Sequence, residues 1–313
     1  MPNTIAHFGV QGLTTRFFLR DSDIKWIYLG CLVPDFSWIM QRFVLFVFPD
    51  VDGYDLRLYA VVQASFLFCL LLGLALAALS TRTWRAFTIL ALNSFLHLIL
   101  DACQIKWANG VHFLAPFSWQ MTNFGLFWPE SLPTHVMTFF GIAYVLAYWC
   151  KGFRSATNIR WRSVTRICAF TALIAVYFVA PFLLIGGPEE LDNHFVKTLR
   201  DRHERTGSYI EIDRNHYVHT PGGGVMRTFA GEELNVEGVE LDRSALLSIR
   251  GTFIAEDRVR VEEYHVHSWI RDGASYLGVL VFSLLWFSSI LREKPWKSGM
   301  KGSSPLPLNR RKT

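Results

Sequence analysis

The chain has 313 residues, of which 51% are hydrophobic and 15% aromatic, with net charge +5 and mean hydropathy +0.24. Its apolar residues fall in blocks close to the ~20 needed to cross a bilayer core, which excludes an ordinary soluble domain. The basic excess is split among four clusters rather than gathered in one patch, so no nucleic-acid partner is expected.

The first 23 residues include Arg16, Arg20, Asp21 and Asp23 and lack a small-residue cleavage site, so no cleavable signal is expected. Six transmembrane helices are predicted, over residues 24–48, 59–79, 83–103, 134–150, 164–186 and 273–291. Residues 59–79 carry no charge; residues 24–48, 83–103 and 134–150 each contain a polar or ionisable group. The basic clusters are Arg16, Arg20 and Lys25; Arg82 and Arg85; Lys151 to Arg166; and Arg292 to Lys312. The positive-inside rule puts all four in the cytoplasm, and six spans alternate between them without conflict. Residues 49–58, 104–133 and 187–272 then face the periplasm of a bacterial inner membrane. The five cysteines, Cys31, Cys69, Cys103, Cys150 and Cys168, lie in or beside spans and read as packing residues, not a disulfide framework.

Residues 187–272 differ from their surroundings. A short charged helix is predicted over 189–204, then five or six alternating strands punctuated by Gly and Asp. The expected unit is a small barrel or sandwich, OB-like in the rhythm of Arg250-Gly-Thr-Phe followed by Asp257-Arg-Val-Arg-Val. The chain thus divides into a helical membrane domain (1–186), a periplasmic β-rich domain (187–272), and a last span with a basic cytoplasmic tail (273–313). His216, His219, His265 and His267 offer a second metal site, although alternate exposed strand positions are the preferred reading.

Ionisable residues inside spans cost ~2.5–3.5 kcal/mol to insert and are functional candidates by default. Asp35 follows Pro34, which bends or ends a helix. Asn93, His97 and Asp101 share one stripe at i, i+4 spacing. A neutral imidazole beside a carboxylate suits Zn²⁺ or a similar ion, and a buried His–Asp hydrogen bond fits the pair equally well. Depth separates the two. With Asp21 as the turn of a hairpin, His7 and Asp35 each stand 14 residues from it, ~21 Å along a helix. His97 lies ~18 Å beyond Arg85, Asp101 ~24 Å beyond it, and His135 ~24 Å before Lys151. His7, Asp35, His97, Asp101 and His135 therefore reach one level near the periplasmic face. His7 gets there only if the first 20 residues re-enter the membrane as a helix.

His7, Leu32-Val-Pro-Asp35, His97-Leu-Ile-Leu-Asp101 and Gly110-Val-His-Phe-Leu-Ala-Pro-Phe-Ser-Trp119 together resemble the YdjM-like family of inner-membrane-associated metal-dependent hydrolases, sometimes described as LexA-binding. The resemblance covers about the first 150 residues. It implies a metal site at His7, Asp35, His97 and Asp101, and a distant likeness to zinc-dependent phospholipase C and P1-type nucleases. The family's Thr-His pair between the two Asp motifs is absent: residues 36–96 hold no histidine, Gln63 stands near its place, and Thr134-His135 offers a substitute.

The expected function is a membrane-embedded hydrolase with a divalent metal, zinc by preference, acting on a lipid headgroup or phosphoester at the periplasmic face. Asp35 or Asp101 serves as general base, with His112 and Glu130 as further candidate ligands. Trp107, Trp119 and Trp128 form an interfacial belt. Two other classes stay open: a non-catalytic scaffold or assembly factor recruiting a periplasmic protein through 187–272, and an ion-coupled transporter, against which the lack of an internal repeat argues.

Overall fold

The computed structural model describes residues 3–154, 159, 163–191, 194–220 and 223–292; Arg160, Arg162 and residues 293–313 of the basic tail lie outside them. Helix α1 (Thr4–Phe18) begins where Asn3 Oδ1 accepts the Ala6 N–H. The chain reverses at Asp21 (φ +61°), and α2 (Ile24–Leu32) starts behind the Asp23 cap. Pro34 separates α2 from α3 (Phe36–Val47) with a 59° bend. Then come α4 (Gly53–Gln63) on an Asp52 cap, α5 (Phe66–Ala78), α6 (Thr83–Ala102), α7 (Leu132–Arg154) and α8 (Val164–Val179). Helix α11 (Trp269–Arg292) closes the described chain.

Four helical stretches are long and apolar enough to cross a membrane: Thr83–Ala102, Leu132–Arg154, Val164–Glu190 and Trp269–Leu291. The count rises to six if α2–α3 and α4–α5 are each taken as one span. The bend expected at Pro34 is present, whereas the single helix expected over 59–79 is broken. The most apolar block of the sequence breaks by 70° between Gln63 and Phe66, where the Phe66 N–H donates to His112 O instead of continuing the helical ladder. No proline marks that break.

α1 is buried among α2, α6, α7 and α11. Its approach to α7 is backbone on backbone, since a Cβ on Gly9 would meet Gly141 Cα at 2.6 Å, and one on Gly141 would strike the Ile5 carbonyl. Small residues at the crossing thus bring the His7 turn into the helical core, whose centre is Ile5, Phe8, Ile27, Cys31 and Leu90.

The helix expected over 189–204 is instead two short pieces, α9 (Gly186–Glu190) and α10 (Val196–Arg200), and a 3-10 turn at Arg202–Glu204. His194, at φ +56°, interrupts them. Five strands follow: β1 (Tyr209–Thr220), β2 (Gly223–Arg227), β3 (Glu233–Glu237), β4 (Ala245–Ala255) and β5 (Arg258–His267). They pair in the closed order β1-β2-β3-β5-β4, every pair antiparallel except β3–β5. Alternation buries Ile210, Ile212, Leu247, Ile249, Phe253 and Val259 in a second core.

Candidate metal centre

Two helices and one helix junction converge on one cluster. α1 brings His7, α6 brings His97 and Asp101 one turn apart, and the bend after Pro34 presents Asp35. His7 and His97 are fully buried, Asp35 and Asp101 nearly so (7% and 8% exposed). The two imidazoles stack with centroids 3.8 Å apart and planes within 7°. His97 Nε2 lies 3.5 Å from Asp35 Oδ1 and 3.7 Å from Asp101 Oδ2; His7 Nε2 lies 3.8 Å from Asp101 Oδ1.

These separations are too long for hydrogen bonds, which close at 2.7–3.2 Å. His7 Nε2, His97 Nε2, Asp35 Oδ1 and Asp101 Oδ1 are buried without a hydrogen-bond partner, an arrangement native proteins rarely leave without cause. Ligands ~2.1 Å from a tetrahedral ion are roughly 3.4 Å apart, close to the three separations above; His7, His97 and Asp101 each offer an atom within 4.8 Å of the others, and Asp35 adjoins them through His97. The donor set, two imidazoles and two carboxylates, suits a divalent transition ion.

The groups behind the ligands fit the same use. His97 Nδ1 is 2.7 Å from the Cys31 carbonyl. A carbonyl only accepts, so Nδ1 carries the proton and Nε2 presents its lone pair inward. His7 Nδ1 is 2.7 Å from the Gln11 side-chain amide, one helical turn on. With the amide oxygen turned to accept from Nδ1–H, His7 Nε2 is freed in the same way. Lys106 Nζ sits 3.1 Å from Asp101 Oδ2 and holds that carboxylate's second oxygen.

The other sequence candidates lie elsewhere. His135 is exposed on α7, and its neighbour Thr134 is the residue that faces inward; one step along a helix turns a side chain by about 100°. The expectation that His135 completes the site is therefore corrected. Gln63 donates to Tyr177 O, and Asn93 bonds Thr15 and the Ile89 carbonyl, so neither joins the cluster. His112 lies near the site but donates through Nδ1 to Trp119 O; burial pushes it below its ordinary value. Gln11 and Lys106 are the functional neighbours that sequence reasoning missed. The i, i+4 spacing from His7 points to Gln11; no spacing rule points to Lys106, which follows α6 in a loop.

Glu130 belongs to a different cluster, with His265 Nε2 at 3.2 Å and His267 Nδ1 at 3.0 Å. His216 and His219 are not in it. This second group is saturated: Arg214 bonds Glu130 and Asp272, and Trp128 stacks on His265 at 3.7 Å. Ser248 Oγ, 2.7 Å from His267 Nε2, gives Ser–His–Glu the order of a hydrolytic triad. That hydroxyl is fully buried, accepts from the Arg214 backbone N–H and bonds Asp213. The cluster is thus a joint that ties the barrel to the loop before α7 and to α11.

The joint has a defined pH response. Burial raises the Glu130 carboxyl, but hydrogen bonds from His265 and His267 and the Arg214 charge outweigh it and hold it well below the carboxylate range. His267 is lowered, chiefly by burial. Below ~6.5, the ordinary value of an imidazole, the unfolded chain therefore binds more protons than the folded one, and stability falls with pH. The Glu130 contribution persists until pH falls below ~4.3 and is then lost. Hydrogen exchange of full-length protein should show protection of β5 dropping from pH 7.5 to pH 5.5, and His267→Gln should remove that step. Equal protection at both pH values in the unsubstituted protein contradicts the assignment.

No protein-family model matches the chain, and comparisons with curated proteins and with solved structures likewise return no match.

Proposed function

We propose that the protein is a membrane-embedded hydrolase that uses a divalent metal, zinc by preference, on a phosphoester or lipid headgroup at the periplasmic face of a bacterial inner membrane. The observation that carries this reading is a buried cluster in which His7, His97 and Asp101 each offer a ligand atom within 4.8 Å of the others, with Asp35 Oδ1 3.5 Å from His97 Nε2 beside it and both imidazole Nε2 atoms lacking a hydrogen-bond partner. The likeness of the His7, Asp35 and His97/Asp101 motifs to the YdjM-like hydrolases supports it. A divalent ion supplies Lewis acidity and a bound water of lowered pKa. The chain's own part is to orient two imidazoles through Cys31 O and Gln11, and to steady Asp101 through Lys106. The Oδ1 atoms of Asp35 and Asp101 both lack a hydrogen bond; Asp35, which has no lysine beside it as Asp101 has Lys106, is the general base. The small domain is OB-like in this reading, because its closed order and single parallel β3–β5 pair are those of that barrel.

Incubation with p-nitrophenyl phosphate and with short-chain phosphatidic acid should release phosphate, cease with chelator and resume with zinc. Asp35→Asn should lower turnover by about 10²–10⁴-fold. Release that is indifferent to chelator would sink the reading. Orientation is tested separately. Reporters fused after Lys151 should read cytoplasmic and after Gly223 periplasmic; a cytoplasmic signal from Gly223 overturns the topology.

A further inference from the structure

A cavity of about 710 Å³ opens between the metal centre and the barrel. Asp101 and Lys106 line one side, α3 and α4 form walls, and Asp213 and Asn215 of β1 contribute the roof. Its cations differ in what holds them. Lys106 is engaged by Asp101, and Arg214 by Asp272 and Glu130. Arg57 has no carboxylate oxygen within 4.0 Å among the described residues. Its guanidinium donates to the neutral amide oxygen of Asn109 at 2.9 Å and lies 4.6 Å from the Phe229 ring centroid and 4.7 Å from that of Phe195. Aromatic faces hold the cation in place without neutralising it.

The lining changes character along α4. Arg57, Val61 and Ala64 all face the cavity, and at 1.5 Å per residue the wall passes from charged to apolar over ~6–10 Å. α3 repeats the pattern sideways: Trp38, Gln41 and Leu45 line the cavity, while Ile39, Phe43 and Phe46 stand 45%, 57% and 86% exposed on the outer face. The cavity is thus separated from an apolar exterior by the thickness of one helix.

We infer that this cavity binds a phosphate-bearing amphiphile, with Arg57 gripping the phosphate and the α3–α4 wall taking the apolar chain. The inference rests on the proposed hydrolase reading for its metal neighbour but does not need metal to be tested. Arg57 is a specificity-determining residue, since a guanidinium offers a fork of donors matched to phosphate oxygens. The barrel's roof position gives the β domain a role in enclosing the substrate.

Calorimetry on full-length protein in detergent with chelator present separates binding from hydrolysis. Dioctanoyl phosphatidic acid should bind, dioctanoylglycerol should not, and inorganic phosphate should bind at least about tenfold more weakly than the lipid. Arg57→Gln should weaken the lipid by about 10- to 100-fold, and Arg57→Lys by less. Val61→Trp, which fills the apolar wall away from the guanidinium, should abolish binding with the Arg57 contacts intact. Equal binding of the neutral diglyceride, equal binding of free phosphate, or unchanged affinity in both Arg57→Gln and Val61→Trp overturns the inference. Lipid binding by a protein that retains no metal would preserve it while removing the hydrolase reading.

Discussion

Protein carrying His97→Ala and Asp101→Ala together is expected to lose its divalent metal to background, from about one equivalent in the unsubstituted protein. The substitutions remove one imidazole and the carboxylate that faces both rings, and leave only His7 and Asp35, too few for a stable site. Stability gives a second readout. Metal at 100 times its Kd stabilises the folded state by about 2.7 kcal/mol, so chelator should lower the melting temperature of the unsubstituted protein and leave the double variant unmoved. Gln11→Ala, which removes only the group behind His7, should cost 10- to 100-fold in metal affinity. His112→Ala should have a smaller effect. His135→Ala should have none, because that side chain is exposed on α7.

The second large effect is expected in the barrel. Arg205 is 1% exposed and forks onto Glu232 at 2.8 and 2.7 Å. It also donates to the carbonyls of Thr198, Leu199 and Glu256, joining α10 to the barrel. Tyr54 Oη on α4 meets the same Glu232 at 3.2 Å. Arg205→Ala leaves the mostly buried Glu232 with only Tyr54 and the exposed Arg202 at 3.4 Å, removes the bonds to three carbonyls, and should destabilise the domain by up to about 3–5 kcal/mol. Adding Glu232→Gln should recover part of the loss by removing the stranded charge. Breaking the exposed Arg250–Glu263 pair instead should cost no more than about 1 kcal/mol. Equal melting temperatures for Arg205→Ala and Arg250→Ala would contradict this ranking.

Much of the centre was legible in the chain because helix geometry is periodic. The His97/Asp101 spacing fixes a shared face, and counting residues from Asp21 and Arg85 places His7, Asp35 and the α6 pair at one level. Rise, however, says nothing about rotation. His135 misses the site: Thr134 takes the inward face, and it is Gly141, six residues further along α7, that packs beside the His7 turn. Lys106 and Arg57 were invisible for a related reason: each reaches the site from a segment whose path is set by tertiary contacts, not by its own pattern. The bend at Pro34 is written in the sequence, whereas the break after Gln63 depends on a carbonyl from His112, 46 positions before which the apolar run looks continuous. In the β domain, alternation announces the strands. Closure through the parallel β3–β5 pair does not follow from any local signal, and neither does the use of His265 and His267 as a joint with Glu130.

X-ray absorption at the zinc edge, on full-length protein loaded with one equivalent of zinc, reads the ligand set of this centre. Ligation by His7, His97, Asp35 and Asp101 requires a shell of nitrogen and oxygen alone at about 2.0–2.2 Å, with the outer-shell scattering of two imidazoles. That shell should disappear in His97→Ala/Asp101→Ala. A sulfur shell near ~2.3 Å, or retention of the same spectrum in the double variant, would place the metal elsewhere and contradict the account.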